Sequence, residues 1–253
     1  MKATAALFLV FAMQACSFAH ADAQAPSAIG SWQIDLTFTD TSHHTLRFDA
    51  DDAGKSSLLL LDRVSSLLDP PKPAPAEWVQ TGTAVNFSGG IEFPIGNVGR
   101  NAGTLVFSGV LETNDSMTGD VAFFGEGQDP KDPKASPTMT GVFRATRITV
   151  KGTTSVTLLS LDSGGKVRRG EEVEIDWLAE SKIPISAQQL FLSIDHGESF
   201  FPITDVLTGD MTHVTWSVPE TLPKAKKSLL KIVVFNAVGD GAEDTSSQTF
   251  KIK

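Results

Sequence analysis

The sequence predicts an all-β protein, in which an antiparallel β-barrel or strongly curved sheet is followed by a second β module of sandwich type. Residues 31–40 place apolar side chains at every second position, which is the period of a half-buried strand. The 13 prolines and 21 glycines divide much of the remaining chain into similarly short apolar runs. Residues 188–201 join two apolar runs through Asp195-His196-Gly197, which predicts a β-hairpin.

The first 23 residues have the composition of a secretory signal peptide. Lys2 precedes the apolar stretch 3–15, and small residues stand at the cleavage spacing in Ala19-His20-Ala21 and Ala21-Asp22-Ala23. The apolar run is shorter than the roughly 20 residues of a spanning helix. We therefore expect cleavage of residues 1–23, no transmembrane segment after cleavage, and export to the periplasm or the extracellular space.

The one cysteine, Cys16, lies inside this predicted signal. Residues 13–16, Met-Gln-Ala-Cys, resemble a bacterial lipoprotein box, so a form lipid-anchored through Cys16 is the minority alternative. Cleavage after Ala23 would leave a mature chain without a thiol, and hence without a disulfide or a cysteine nucleophile.

The charge balance is acidic. Removing Lys2 and Asp22 from the 21 basic and 30 acidic residues leaves 20 and 29, so the net charge stays at −9. An acidic chain without a basic stripe repels a phosphate backbone, so nucleic acid is not an expected partner. We interpret the excess of carboxylates as an aid to solubility.

The first module is predicted to span residues 24–151. Gly30-Ser31-Trp32 opens its first strand, and residues 141–147, Gly-Val-Phe-Arg-Ala-Thr-Arg, close its last. These two motifs resemble those of lipocalin-like (calycin) β-barrels. The resemblance implies that Trp32 packs beneath an arginine in a cation–π stack that plugs one barrel end, with Arg147 as the partner and Arg144 as the reserve.

A barrel of about eight strands can enclose one small apolar ligand, or it can be filled by its own Phe and Leu side chains. Both alternatives stay open at the level of sequence. The acidic connector 49–55 lacks the ligand pattern of an EF-hand, with Ala53 and Leu60 at two required positions, and is interpreted as a solvated turn.

Three long connections are predicted in this module. Residues 68–76 are proline-rich and are expected to stay outside a central ladder, after a short helix at 62–68. Residues 94–103 are glycine-rich but lack the ending of a phosphate-binding loop, so a hairpin connection is expected. Residues 125–137 form a polar excursion broken by prolines.

The second module is predicted to span residues 152–253, with about seven short strands in about 100 residues. Trp177 and Trp216 alternate with polar neighbours and are expected in its core. The pattern resembles bacterial immunoglobulin-like and fibronectin type III-like modules of secreted proteins. The run 193–200 also matches the Asp-box of sialidase-like propellers, but it occurs once, so Asp195 and Gly197 are interpreted as turn residues.

The sequence shows no catalytic constellation. Of the histidines outside the predicted signal, His43 and His44 are adjacent and would point to opposite faces of a strand, while His196 and His213 are expected to face solvent. A zinc site combining His44 with a distant carboxylate is an alternative. No serine-nucleophile elbow, zinc-protease helix or Walker loop is present, and we predict no catalytic, cofactor-binding or metal-binding residues.

These observations favour an exported, non-catalytic protein that binds a protein or glycan partner or interacts with a surface. The long connections of the first module would form its variable surface. One alternative is a lipocalin-like carrier of a small apolar ligand. A second is a secreted hydrolase with an accessory sandwich module. The oligomeric state stays open.

Overall fold

The computed structural model describes residues 26–95, 99–150, 152–209 and 211–253. The predicted signal peptide and Cys16 lie outside these residues. The described chain contains 17 β-strands and no helix, so the predicted all-β fold is confirmed. Within the same ranges, no helix long and apolar enough to cross a membrane is found.

The first eight strands form a closed antiparallel barrel in which each strand pairs with its sequence neighbours. Their bounds are β1 Gly30–Phe38, β2 His43–Ala50, β3 Ser56–Leu60, β4 Ala74–Thr81, β5 Ala84–Ile95, β6 Gly99–Leu111, β7 Ser116–Gly125 and β8 Met139–Arg147. The last strand pairs with the first, so the sheet has no free edge.

Strand β1 shows how the alternation in sequence gives the barrel an apolar inner face and a more polar outer face. Trp32, Ile34 and Leu36 are at most 1% exposed and point into the barrel. Their intervening neighbours point outward, as expected for a strand with one buried face. Trp32 pairs with Phe48 on β2 and with Arg147 on β8, which places the residues of the predicted plug on adjacent strands.

Two predictions about this module are wrong in detail. The hairpin connection expected at 94–103 is present between β5 and β6, but most of the predicted loop is strand, because β5 continues to Ile95 and β6 begins at Gly99. Glycine is needed inside β6, since a Cβ on Gly103 would lie 2.2 Å from the carbonyl oxygen of Phe124. Pro75 also joins the barrel ladder, opposite Ser57, because it lies at the start of β4 where its missing N–H is tolerated.

The remaining strands form two sheets. Their bounds are β9 Ser155–Leu158, β10 Gly165–Val167, β11 Glu172–Glu180, β12 Ile185–Ser193, β13 Phe201–Pro202, β14 His213–Ser217, β15 Ala225–Asn236, β16 Gly241–Thr245 and β17 Phe250–Ile252. One sheet has the order β14-β11-β9, and the other has the order β10-β17-β15-β12-β13, with β16 also paired to β15.

The two sheets enclose one apolar core. Trp177 and Trp216 from the three-stranded sheet pack in the same buried cluster as Leu190, Leu230 and Phe250 from the other sheet. The two tryptophans are 1% and 5% exposed, which places both in the core. A sandwich of this kind buries only one face of each sheet, and the outer face of the larger sheet carries a second apolar cluster that is described below.

Candidate functional site

The two ends of the barrel differ in the length of their connections. Because consecutive strands are antiparallel, alternate connections lie at the same end. The short connections 51–55, 82–83 and 112–115 lie at one end, which we call the plugged end. The other end, the loop end, carries the connections 39–42, 61–73 and 126–138, together with the end of β5 and the start of β6.

Trp32 and Arg147 seal the plugged end. The indole ring of Trp32 is fully buried, and its Nε1 donates to the carbonyl oxygen of Ala28 at 2.8 Å. The Cζ of Arg147 lies 4.3 Å from the centroid of that ring, within cation–π range. The same guanidinium donates to the carbonyl oxygens of Ile29 at 2.6 Å and Asn114 at 2.5 Å, and also to that of Ser27.

Two further observations define this plug. Gly30 has φ of 129°, and a Cβ at this position would lie 2.5 Å from Nη1 of Arg147, so glycine makes room for the guanidinium. Arg144, the reserve partner, is exposed and lies opposite Asp35 on β1. The structure therefore places Arg147, and not Arg144, over the Trp32 ring.

The barrel interior is filled by phenylalanine rings. Phe87 stacks on Phe48 with a centroid distance of 4.3 Å and on Phe107 at 4.2 Å. Phe143 meets Phe87 and Phe107 edge-on at 5.8 and 5.3 Å. These four side chains are at most 3% exposed. Their packing occupies the space that a small apolar ligand would require, so the carrier alternative finds no support in the interior.

A second aromatic cluster closes the barrel at the loop end. Phe93 packs against the imidazole of His44 at 4.1 Å, against Phe123 at 5.6 Å and against Phe38 at 6.2 Å. The three phenylalanines are at most 4% exposed. The exposed surface of the loop end is therefore formed by its connections, which lie over these packed aromatic rings.

His44 and Asp62 form the one close histidine–carboxylate pair among the described residues. Nδ1 of His44 lies 2.5 Å from Oδ2 of Asp62, and the backbone N–H of Thr45 donates to Oδ1 of Asp62 at 2.8 Å. Such a pair can act as a base beside a nucleophile, but no described hydroxyl hydrogen-bonds to this imidazole. No group of three or more metal-ligating side chains occurs in the described ranges. The pair anchors the start of the connection 61–73.

The short connection at the loop end is also ordered by a carboxylate. The side-chain hydroxyl of Ser42 donates to Oδ1 of Asp40 at 2.6 Å, and its backbone N–H donates to the same oxygen at 2.9 Å. These two bonds favour the ionised carboxylate and lower the pKa of Asp40. The turn between β1 and β2 therefore presents a fixed negative charge.

The connection 126–138 is held in a defined shape by side chain to backbone hydrogen bonds. Oε1 of Gln128 accepts from the backbone N–H of Gly125 at 2.9 Å, and its Nε2 donates to the carbonyl oxygen of Ser136 at 3.2 Å. These two bonds join the beginning and the end of the excursion. A connection fixed in this way loses less conformational entropy when it binds a partner.

The tip of this connection contains Asp-Pro-Lys twice in tandem, at residues 129–131 and 132–134. In each copy the aspartate accepts a hydrogen bond from the backbone N–H of the following lysine, at 2.9 Å in both cases. These Asx turns leave the side chains of Lys131 and Lys134 exposed. Lys131 reaches Glu77 at 3.4 Å, with both side chains well exposed.

The connection 61–73 is not helical over residues 62–68, in contrast to the prediction. Its side chains instead dock on the outer face of the larger sandwich sheet. Leu67 is 4% exposed and packs against Phe191 and Val233, and its backbone N–H donates to Oε1 of Gln189 at 2.7 Å. Burial of this segment against β12 and β15 stabilises it more than a local helix would, because a helix would present its apolar side chains along one stripe only.

An ion pair forms a second contact between the barrel and the sandwich. Nη1 of Arg47 on β2 lies 2.6 Å from Oδ1 of Asp240, and Nε donates to Asp49 at 3.0 Å. Burial by itself lowers the pKa of Arg47, but the hydrogen bonds from the guanidinium to Asp240 and Asp49 outweigh it, so the pKa is raised. Gly239 lies beside this pair and packs against Leu59. A Cβ added to Gly239 would lie 2.8 Å from the side chain of Leu59, so this close packing requires glycine.

Two buried glutamines were missed by sequence reasoning. Gln188 accepts from Nε1 of Trp177 at 2.7 Å and donates to the carbonyl oxygen of Met211 at 2.8 Å. Gln189 donates to the carbonyl oxygen of Thr204 at 2.9 Å. Two adjacent glutamines inside an otherwise apolar strand were the available signal, because amides in such a position must find buried partners on both faces.

Asp195 and Gly197 form a tight turn between β12 and β13. Ser193 donates to Oδ1 of Asp195 at 2.7 Å, and the backbone N–H of Ser199 donates to the same oxygen at 3.0 Å. The hydroxyls of Ser199 and Ser193 lower the pKa of Asp195 to about 2. Gly197 has φ of 92°, so it supplies the left-handed conformation that the turn requires.

Comparisons with known proteins leave the family of this chain undefined. No protein-family model and no curated protein sequence matches it. Among solved structures, it is similar to the crystal structure of a tetra-tandem repeat in the extending region of a large adhesion protein, at 10% identity and a TM-score of 0.28. That alignment covers 87% of this chain and 66% of the other chain. A TM-score of this size does not establish a shared architecture.

Proposed function

We propose that the chain is an exported, non-catalytic binding protein whose barrel presents its loop end to a protein or glycan partner. The observation that carries this proposal is the asymmetry of the barrel. One end is sealed by Trp32 and Arg147 beneath short turns, while the other gathers every long connection of the barrel. A rigid β scaffold that projects several connections on one side is a common arrangement for recognition.

The filled interior supports a role in which the outer surface of the barrel contacts a partner, in place of a ligand enclosed within the barrel. Phe48, Phe87 and Phe107 form a continuous stack where a carrier would hold its ligand. The His44–Asp62 pair is accounted for by its anchoring of the connection 61–73. The sandwich, which we propose belongs to the immunoglobulin-like or fibronectin type III-like class, would hold the barrel in place through Leu67 and Arg47.

The proposed partner surface includes the exposed lysines of the tandem turns. Since each aspartate in those turns bonds a backbone N–H, changing Lys131 and Lys134 leaves the hydrogen bonds of the two turns in place and removes only the exposed contact of Lys131 with Glu77. An acidic protein surface or an acidic glycan would pair with these two side chains. Export, which rests on the predicted signal peptide, would bring the loop end into contact with such partners.

Binding of labelled protein to a glycan array and to a panel of extracellular proteins tests this proposal. The variant Lys131→Glu/Lys134→Glu reverses two positive charges at the loop end, and Lys55→Glu/Arg144→Glu is the matched control, because it makes the same change of charge at two exposed positions outside the loop end. We expect the loop-end variant to lose at least tenfold in affinity for any ligand found, while the control binds as the wild type does. Equal binding by both variants would refute the proposed surface.

A further inference from the structure

The edge strand β14 carries a row of unpaired backbone groups. It pairs with β11 alone, in a register that sets Trp216 opposite Val173. The backbone N–H of Val218 donates to the carbonyl oxygen of Glu171, and that of Trp177 donates to Thr212, so alternate residues face β11. By the alternation of an antiparallel ladder, the N–H and C=O groups of His213, Thr215 and Ser217 point away from the sheet. None of these groups bonds another described residue.

An apolar groove runs beside this open edge. It has a volume of about 360 Å³ and lies between β14 and the facing edge of the other sheet. Its apolar side chains come from both sheets and from the turn after β14: Phe201, Ile203, Trp216, Pro219 and Leu222. A strand added to β14 would point every second side chain into this groove, because side chains alternate across a strand.

The open edge of β14 lacks the usual protection against strand pairing. The facing edge strand β13 contains Pro202, which has no N–H to donate. Strand β14, with the sequence His-Val-Thr-Trp-Ser, contains neither proline nor lysine, and its β-branched and aromatic residues favour an extended partner. Such an edge is the structural requirement for recognition of a peptide by strand addition.

The charge on the solvent face beside β14 specifies the partner further. Glu174 lies opposite Thr215 and Glu172 lies opposite Ser217, and both glutamates are exposed. Arg168 pairs with Glu171, but Glu172 and Glu174 have no ion pair with any described residue. A strand added to β14 would lie about 10 Å from β11, which the long side chain of a lysine or arginine can span.

We propose that the β14 edge binds an extended segment of a partner protein by β-strand addition. The segment alternates apolar residues, which enter the groove beside Trp216, with basic residues, which face Glu172 and Glu174. The backbone of the segment hydrogen-bonds to His213, Thr215 and Ser217. This site lies on the sandwich and is independent of the loop end proposed above, so failure of either proposal leaves the other intact.

A synthetic nine-residue peptide that alternates lysine with valine, capped at both ends and labelled with a fluorophore, tests the site by fluorescence anisotropy. The control peptide has the same composition with its lysines and valines in separate blocks. We expect saturable binding of the alternating peptide only, weakened at least tenfold by raising the salt from 50 mM to 500 mM, because screening reduces its attraction to the glutamates.

Substitutions on β14 separate the backbone contact from the side-chain contact. Thr215→Pro removes an N–H that has no partner in the fold, whereas Thr215→Ala keeps it. We expect the proline variant to lose at least tenfold in affinity and the alanine variant to retain it. Glu172→Lys/Glu174→Lys should weaken binding to a similar extent. Equal affinities of Thr215→Pro and Thr215→Ala, with unchanged melting temperatures, would overturn the proposal.

The peptide itself provides a test that does not depend on folding of a variant. When the added strand is antiparallel, the peptide residues directly opposite Thr215 and Ser217 have their side chains on the same solvent face as these two residues. Those peptide residues are the lysines, and their backbone amides are the ones that hydrogen-bond to β14. N-methylation of the lysine amides should abolish binding, and N-methylation of the valine amides should preserve it. Equal binding of both methylated peptides would overturn strand addition. A dimer of the protein that is seen by analytical ultracentrifugation and is dissociated by Thr215→Pro would also overturn the proposal, because a second copy of the chain would then occupy the edge.

Discussion

Replacing Arg147 with methionine tests the plug of the barrel most directly. Methionine keeps an unbranched apolar stem over Trp32 but removes the guanidinium, which lies 4.3 Å from the indole centroid. Three hydrogen bonds to backbone carbonyl oxygens are lost with it. A hydrogen bond to a charged group contributes about 1.5–3 kcal/mol, and a cation–π contact about 0.5–2 kcal/mol.

Water can replace part of the lost hydrogen bonding, because the Arg147 side chain is 18% exposed. We therefore expect Arg147→Met to destabilise the barrel by about 2–4 kcal/mol, below the simple sum of those contributions. Arg144→Met is the matched control, since Arg144 lies three residues earlier on the same strand and is exposed. Its cost should stay within about 0.5 kcal/mol, as for other surface substitutions.

Hydrogen exchange followed by mass spectrometry on peptides of β1 and β8 measures the opening free energy of the barrel separately from the sandwich. A double-mutant cycle with Trp32→Leu then isolates the contact between indole and guanidinium, with an expected coupling of about 1 kcal/mol. A coupling within the additivity error of about 0.3 kcal/mol, or equal costs for Arg147→Met and Arg144→Met, would refute the assignment of Arg147 as the plug.

Two further predictions concern the barrel interior and the sandwich turn. Phe87→Ala should cost about 3–5 kcal/mol and open an apolar cavity between Phe48 and Phe107 that binds benzene in a calorimetric titration; benzene binding by the wild type would contradict the filled interior. For Asp195, the folded pKa of about 2 lies below the ordinary aspartate value of 3.8, so its stabilising effect is present above the unfolded pKa and is lost as pH falls through the folded one. The difference in melting temperature between wild type and Asp195→Asn should therefore be largest above about pH 5 and shrink towards pH 2, and a difference independent of pH would contradict this role.

The sequence was sufficient where the signal is local. Alternation in residues 31–40 identifies β1. The turn at Asp195 and Gly197 follows from the conformational preferences of the two residues. In each case a residue type and its spacing determine the local geometry.

Prediction failed where a contact distant in sequence decides the outcome. Residues 62–68 have a helix-compatible composition, yet Leu67 docks on Phe191, 124 positions later, and the segment is irregular, with several bends. The glycines near residue 100 indicate a loop, but Gly103 is required by the close approach of β7 within a continuous strand. Local propensity is a weak guide when burial against another element contributes more.

The docking of the connection 61–73 bears on both proposed binding surfaces. Leu67 covers part of the outer face formed by β12 and β15, so this face of the sandwich is occupied by the chain itself. Strand β14 belongs to the other sheet, on the far side of the core that contains Trp177 and Trp216, so docking of Leu67 leaves its edge uncovered. The same connection begins at the His44–Asp62 pair of the loop end. The docked connection 61–73 is thus a fixed part of the loop end proposed for recognition, and it leaves the β14 edge proposed for strand addition open.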